Sequence, residues 1–177
     1  MMRNLNDFIF LLGLFVVDFP TGSNTALTCP KGFELHGQKC YIALDLYASW
    51  SEAKQYCAVL GGKLAAISSD YEQTIISGIM FKMHGTISNE NYWLDGSDML
   101  NEGEWRWMGT NGASVPFSFT FWHPGQPDKI KERCVEIRYD WRARWNNAHC
   151  HGTKSVICEA RATGTGREIL IDILQSP

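Results

Sequence analysis

Along residues 49–62, SWSEAKQYCAVLGG, apolar positions recur at Ala53, Tyr56, Cys57 and Leu60, the spacing of one helical face. Ser49 and Glu52 have the spacing of a capping box and Gly61-Gly62 ends the pattern, so the stretch predicts an amphipathic helix. A second segment repeats the design. Ser69 and Glu72 fit the box, Ile75, Ile76, Ile79, Met80 and Met83 supply the stripe, and Gly85 lies beyond. From Asn91 onward the period shortens: Tyr92-Trp93-Leu94 is a short apolar strand and Trp105-Arg106-Trp107 alternates as a strand does. Cys134-Val135-Glu136-Ile137 and Ser155-Val156-Ile157-Cys158 read as short buried strands that close the domain. Ahead of the first helix, residues 29–40, with Gly32 and Gly37 as turn residues, read as a hairpin-like start. Residues 109–131 are rich in Gly, Ser, Pro and aromatics and have no period, and loops of that length in a compact domain are usually functional. Two helices among short strands, with no internal repeat, predict an α+β domain.

A chain of 177 residues suits one domain, and 45% hydrophobic against 20% charged residues is a globular balance that allows a real core. A net charge of −3 gives no footprint for nucleic acid or an anionic membrane. Arg3, the apolar run 8–17 (FIFLLGLFVV), Pro20 and the small residues Thr21, Gly22 and Ser23 resemble a secretory signal peptide over 1–23, the rival being an uncleaved anchor. Nothing later is long and apolar enough to span a membrane. All six cysteines follow that segment, and an even count in an exported chain implies three disulfides among 15 possible pairings. The domain itself is placed at 24–160. The tail, 161–177, reads as a linker followed by a docking segment bearing Ile169, Leu170, Ile171, Ile173 and Leu174, with disorder as the alternative.

Candidate chemistry concentrates in FWHPGQPDKIKERC and RWNNAHC, which place Gln126, Asp128, Glu132, Asn146 and Asn147 near Cys134 and Cys150. These are hard oxygen donors of the type that calcium takes, whereas softer metals want His or Cys. Pro127 offers a cis bond that would turn its flanking side chains to one side. With CAVLGGKLAAI, YWLDG, EGEWRW, WHPGQPD, ERCVEI, RWNNAHC and ICE in this order, residues 29–158 resemble a C-type lectin domain.

That resemblance implies a fold of two helices flanking short antiparallel sheets with a long irregular ligand loop. It pairs Cys29 with Cys40, Cys57 with Cys158, and Cys134 with Cys150. It implies calcium held by Gln126, Asp128, Glu132, Asn146 and Asn147, the last also through its backbone carbonyl. Two neighbouring sugar hydroxyls complete the shell, Gln126 with Asp128 serving one and Glu132 with Asn146 the other. The Gln-Pro-Asp order goes in the family with galactose-type sugars. Two departures matter. Asn147 stands where the family has Asp, leaving two acids in the set and predicting weak calcium binding of about 10⁻⁴–10⁻³ M. Lys129 stands among Asp98, Glu102 and Glu132, where some relatives hold an auxiliary calcium, so that second site is expected to be absent or degraded.

Among the remaining residues, Trp105, Trp107 and Trp122 are expected in the core. Trp141, amid Arg138, Asp140, Arg142 and Arg144, is a candidate for stacking on a sugar, with a ring half covered by arginine stems as the alternative. His123, His149 and His151 read as incidental surface residues, and Lys129, Lys131 and Arg133 as a solvated face. No Asn-x-Ser/Thr sequon occurs. No GxSxG, HExxH or P-loop is present, so an enzyme is not expected. The expected function is that of a secreted, calcium-dependent lectin binding glycans, with recognition of microbial surfaces in innate defence implied by the resemblance. Single-site affinity of millimolar order would call for noncovalent assembly. The competing reading is a calcium-independent lectin-like domain that binds a protein or a mineral or matrix surface.

Overall fold

The computed structural model describes residues 26–83 and 91–164. The leader segment, Gly85 and the apolar part of the tail lie outside the described residues. Strand β1 (Leu27–Thr28) precedes β2 (Glu34–His36) and the ten-residue β3 (Lys39–Ala48). Helix α1 (Trp50–Val59), β4 (Lys63–Leu64) and α2 (Asp70–Met83) follow. The second half holds β5 (Asn91–Ser97), β6 (Arg106–Trp107), β7 (Val115–Pro116), β8 (Cys134–Arg138), β9 (Arg144–Ala148), β10 (Lys154–Arg161) and β11 (Thr163–Gly164).

Both helices start as their sequences require. Glu52 accepts the Ser49 N–H at 2.8 Å and the Ser49 hydroxyl at 2.7 Å. In α2 the Ser69 hydroxyl accepts the Glu72 N–H at 3.3 Å, but the Glu72 carboxylate reaches one residue further back, to the N–H and hydroxyl of Ser68. Gly61, with φ +81°, lets the chain leave α1 in the left-handed region. The buried face of α1 differs from the expected one: Trp50, Ala53 and Cys57 are buried, whereas Tyr56 and Leu60 are exposed. The indole of Trp50 won that place because its N–H finds the Leu94 carbonyl at 2.9 Å inside the core. In α2 the Ile and Met stripe does pack inward, with Ile75 and Met83 at its margin and Gln73 buried beside it.

One mixed sheet runs in the order β2-β3-β10-β5-β6-β7, with β4 beside β10, and β8 joining β5 to β9. The pairs are antiparallel except β10 with β5. β5 is buried along nearly its whole length because it has neighbours on both edges and core on both faces, which suits its apolar run. β1 pairs with β11, so backbone pairing continues past position 160 to Gly164. The disulfides are Cys29–Cys40, Cys57–Cys158 and Cys134–Cys150, the pairing that the resemblance implies. Cys134–Cys150 ties β8 to the chain just beyond β9.

Candidate functional site

The stretch 109–131 lacks period, yet aromatic side chains pin it down. Phe117 stacks on Trp107 at 4.2 Å between ring centroids, while Phe119 and Trp122 meet Trp145 edge-on at 5.8 and 5.7 Å. Trp107 and Trp145 are buried and Trp105 and Trp122 partly so, all within the main core cluster. The Trp145 N–H donates to Phe121 O and the His123 N–H to Trp145 O, both at 2.9 Å. These two bonds bring the Gln126 segment beside β9.

β9 is itself set by α2. The β8–β9 turn passes through Arg142 (φ 54°) and Ala143 (φ 60°), left-handed positions that cost about 1–2 kcal/mol each for residues with a Cβ. Buried Gln73 holds the turn, donating to the Ala143 carbonyl at 3.0 Å and accepting the Trp145 indole N–H at 2.8 Å. One buried amide therefore fixes the strand that carries Asn146 and Asn147.

Gln126, Asp128, Glu132 and Asn146 line one open groove of about 580 Å³, together with Trp141. The Gln126–Pro127 peptide is cis, and Gln126 Oε1 is buried with no hydrogen-bond donor among the described residues. Asn146 donates through Nδ2 to Glu136 Oε1 at 2.7 Å, which turns its Oδ1 the other way. Glu132 Oε1 lies 3.3 Å from Lys129 Nζ and 3.8 Å from His149 Nε2.

Asn147 is placed differently. It is 1% exposed, its Oδ1 accepts the Asp128 N–H at 3.2 Å, and its Nδ2 donates to the carbonyls of Lys129 and Glu132 at 2.8 and 3.0 Å. Its side chain sits beneath the groove as a clamp on the loop that carries both acids.

Three groove residues had no role assigned from the sequence. Glu136, 1% exposed, takes Lys154 Nζ at 2.7 Å and faces Arg138 Nη1 at 3.6 Å. The signal was available: an acid inside the apolar run CVEIR must find a partner in the fold. Arg138 also grips Asp140 through Nε and Nη2, and this hydrogen bonding holds the Asp140 carboxyl below the usual range. The Trp141 ring has Arg138 over it at 4.3 Å and His123 against it at 4.2 Å. It is therefore half-buried and occupied by its own neighbours, and His123 has a packing role.

Arg133 corrects the solvated-face expectation. Its Nε donates to Asp98 Oδ1 at 2.7 Å, and the other oxygen, Oδ2, accepts the Gly103 N–H at 2.9 Å. Both oxygens of Asp98 are thus committed, and Glu102 is exposed. An auxiliary ion would have to displace the guanidinium.

The groove's donor set suits calcium. Its oxygens are hard and on one open side, and the Gln126 oxygen accepts from no donor among the described residues. Among the described residues no three His, Cys, Asp or Glu side chains converge, so an ion here depends on amide oxygens as well as acids.

Comparison with known proteins agrees with this architecture. The family profile described as "Lectin C-type domain" matches residues 47–160. The galactose-specific lectin nattectin of Thalassophryne nattereri is 33% identical over 153 residues, covering 85% of this chain and 92% of its own. Perlucin of Haliotis laevigata is 36% identical over 134 residues, covering 74% and 82%. Among solved structures, the mouse scavenger receptor C-type lectin carbohydrate-recognition domain superposes with a TM-score of 0.65 at 27% identity, covering 77% of this chain and all of that one. A calcium-independent type II antifreeze protein superposes at 0.67 with 29% identity, covering 80% and 100%.

Proposed function

Because the chain belongs to the C-type lectin family, known for carbohydrate-binding proteins that are not enzymes, we propose that it is a calcium-dependent lectin for galactose-type sugars. Gln126, Asp128, Glu132 and Asn146 would hold the ion, joined by an oxygen of Asn147. The observation that carries this reading is the meeting of those four side chains on one open groove, with the Gln126 oxygen meeting no donor among the described residues. Bound calcium supplies open coordination positions for two adjacent hydroxyls. The acids accept a hydrogen bond from each hydroxyl and the amides donate one, so the order of acid and amide at positions 126 and 128 selects the diol geometry. The similarity to a galactose-specific lectin supports the same choice.

The reading extends to an extracellular protein. All three disulfides suit an oxidising compartment, and among the described residues no helix is long and apolar enough to cross a membrane. With every cysteine paired, assembly would be noncovalent, and several weak sites together would serve recognition of glycan-coated surfaces such as microbes. Retention on galactose-agarose in calcium, with release by EDTA, is the expected result, and Asp128→Ala should pass through unretained. Binding to protein or mineral surfaces that ignores EDTA would favour the second reading. The full engagement of Asn147 and the likeness to a calcium-independent antifreeze protein speak for it.

A further inference from the structure

Three acids and three bases line the groove: Asp128, Glu132 and Glu136 against Lys129, Arg138 and Lys154. Two of the bases keep their partners whatever binds, because Arg138 holds Asp140 and Lys154 holds buried Glu136, neither acid belonging to the proposed calcium set. Lys129 is different. Its side chain is 64% exposed and its ammonium rests on Glu132 at 3.3 Å, and Glu132 is one of the proposed calcium ligands. With Asp140 counted beside its partner Arg138, a divalent ion in the set leaves an excess of about one positive charge, and the ion, not Lys129, becomes the main partner of Glu132.

We infer that Lys129 reads acidic substituents, so that this lectin prefers sulfated or carboxylated galactose-type glycans over neutral ones. The inference rests on the proposed function and narrows its substrate class. Lys129 lines the same groove as Gln126, Asp128, Glu132 and Asn146, so a sulfate on a sugar held there would come within reach of an ammonium no longer neutralised by Glu132.

The test uses the wild-type chain and Lys129→Gln, with Lys131→Gln as a control for net charge, since Lys131 is exposed and outside the groove lining. Calcium affinity is measured by calorimetry without sugar. Affinities for galactose and for galactose 6-sulfate are then measured in calcium at low and high salt. Wild type should bind the sulfated sugar about two- to fivefold more tightly, the scale of an exposed ion pair, and the preference should shrink at high salt. Lys129→Gln should bring the ratio close to one and tighten calcium binding by a similar factor, because a competing cation has left Glu132. Lys131→Gln should change neither. Equal affinity of wild type for the two sugars overturns the inference, as does a ratio or calcium affinity untouched by Lys129→Gln, and the proposed function survives either result. Failure to bind both sugars in calcium overturns the proposed function and the inference with it.

Discussion

Asn147→Asp tests the two jobs that one side chain combines. The substitution replaces the Nδ2 donor by an oxygen, so the bonds to the carbonyls of Lys129 (2.8 Å) and Glu132 (3.0 Å) become contacts between acceptors. Each such bond is worth about 0.5–1.5 kcal/mol net, so the metal-free protein should lose roughly 1–3 kcal/mol. A buried carboxylate facing two carbonyls adds repulsion to that. For a domain of this size one kcal/mol moves the melting midpoint by roughly 2–4 °C, so the midpoint in EDTA should fall by roughly 2–12 °C. In calcium a second effect opposes the first. A third negative charge directly beneath the ligand set should tighten ion binding, and each tenfold gain is worth about 1.4 kcal/mol, returning part of the loss. Calorimetric melting of both proteins in EDTA and in excess calcium reads the two effects separately. An unchanged midpoint in EDTA would show that the clamp does not hold the loop. A calcium-induced rise no larger than that of wild type would refute the charge argument for weak binding.

Asp95 is fully buried, its oxygens taking Lys54 Nζ and the Gly109 N–H, and burial pushes its carboxyl above the usual aspartate value. Asp95→Ala should cost about 1–3 kcal/mol in urea unfolding, because the Gly109 N–H loses its acceptor while the Lys54 ammonium keeps the Gly109 carbonyl at 3.0 Å. Replacing Cys57 and Cys158 together by Ala opens a link across 101 positions and should cost up to about 4.7 kcal/mol by the same assay. The Asp140 carboxyl is held low by Arg138, so its contribution is present above the ordinary aspartate value and fades as pH falls through the lowered one. Asp140→Asn should accordingly lower neutral-pH stability by about 0.2–1 kcal/mol, the scale of an exposed pair, and flatten the acid limb below about pH 4 by the same amount. A limb of unchanged steepness would assign the acid sensitivity to other carboxylates.

Local pattern carried much of this fold. Capping serines and glutamates, the Ile and Met stripe of α2, and the apolar runs of β5, β8 and β10 all lie where nearest-neighbour sequence placed them. The two-residue strands β1, β4, β7 and β11 escaped that reading, and so did two longer ones. β3, KCYIALDLYA, mixes Ala, Leu and Asp and shows neither clean alternation nor a helical face, and its state is decided by pairing with β10. β9, RWNNA, has one large apolar residue and two asparagines, and it becomes a strand because β8 pairs with all five of its residues. Arg133 read as a surface charge since its partner, Asp98, lies 35 positions away.

The amino-acid sequence by itself determined the inventory: six cysteines, a proline able to turn the loop, and oxygen-bearing side chains with no soft ligand among them. Those follow from side-chain chemistry and short spacing, which folding does not alter. Only the tertiary structure decided which oxygens face outward. Asn146 and Asn147 are adjacent and identical, yet strand alternation sends one to the groove and the other beneath it. The Lys129–Glu132 contact and the Glu136 cluster likewise arise from long-range packing that brings three chain segments to one surface. A contact between distant segments depends on how the whole core closes, and no local pattern encodes that.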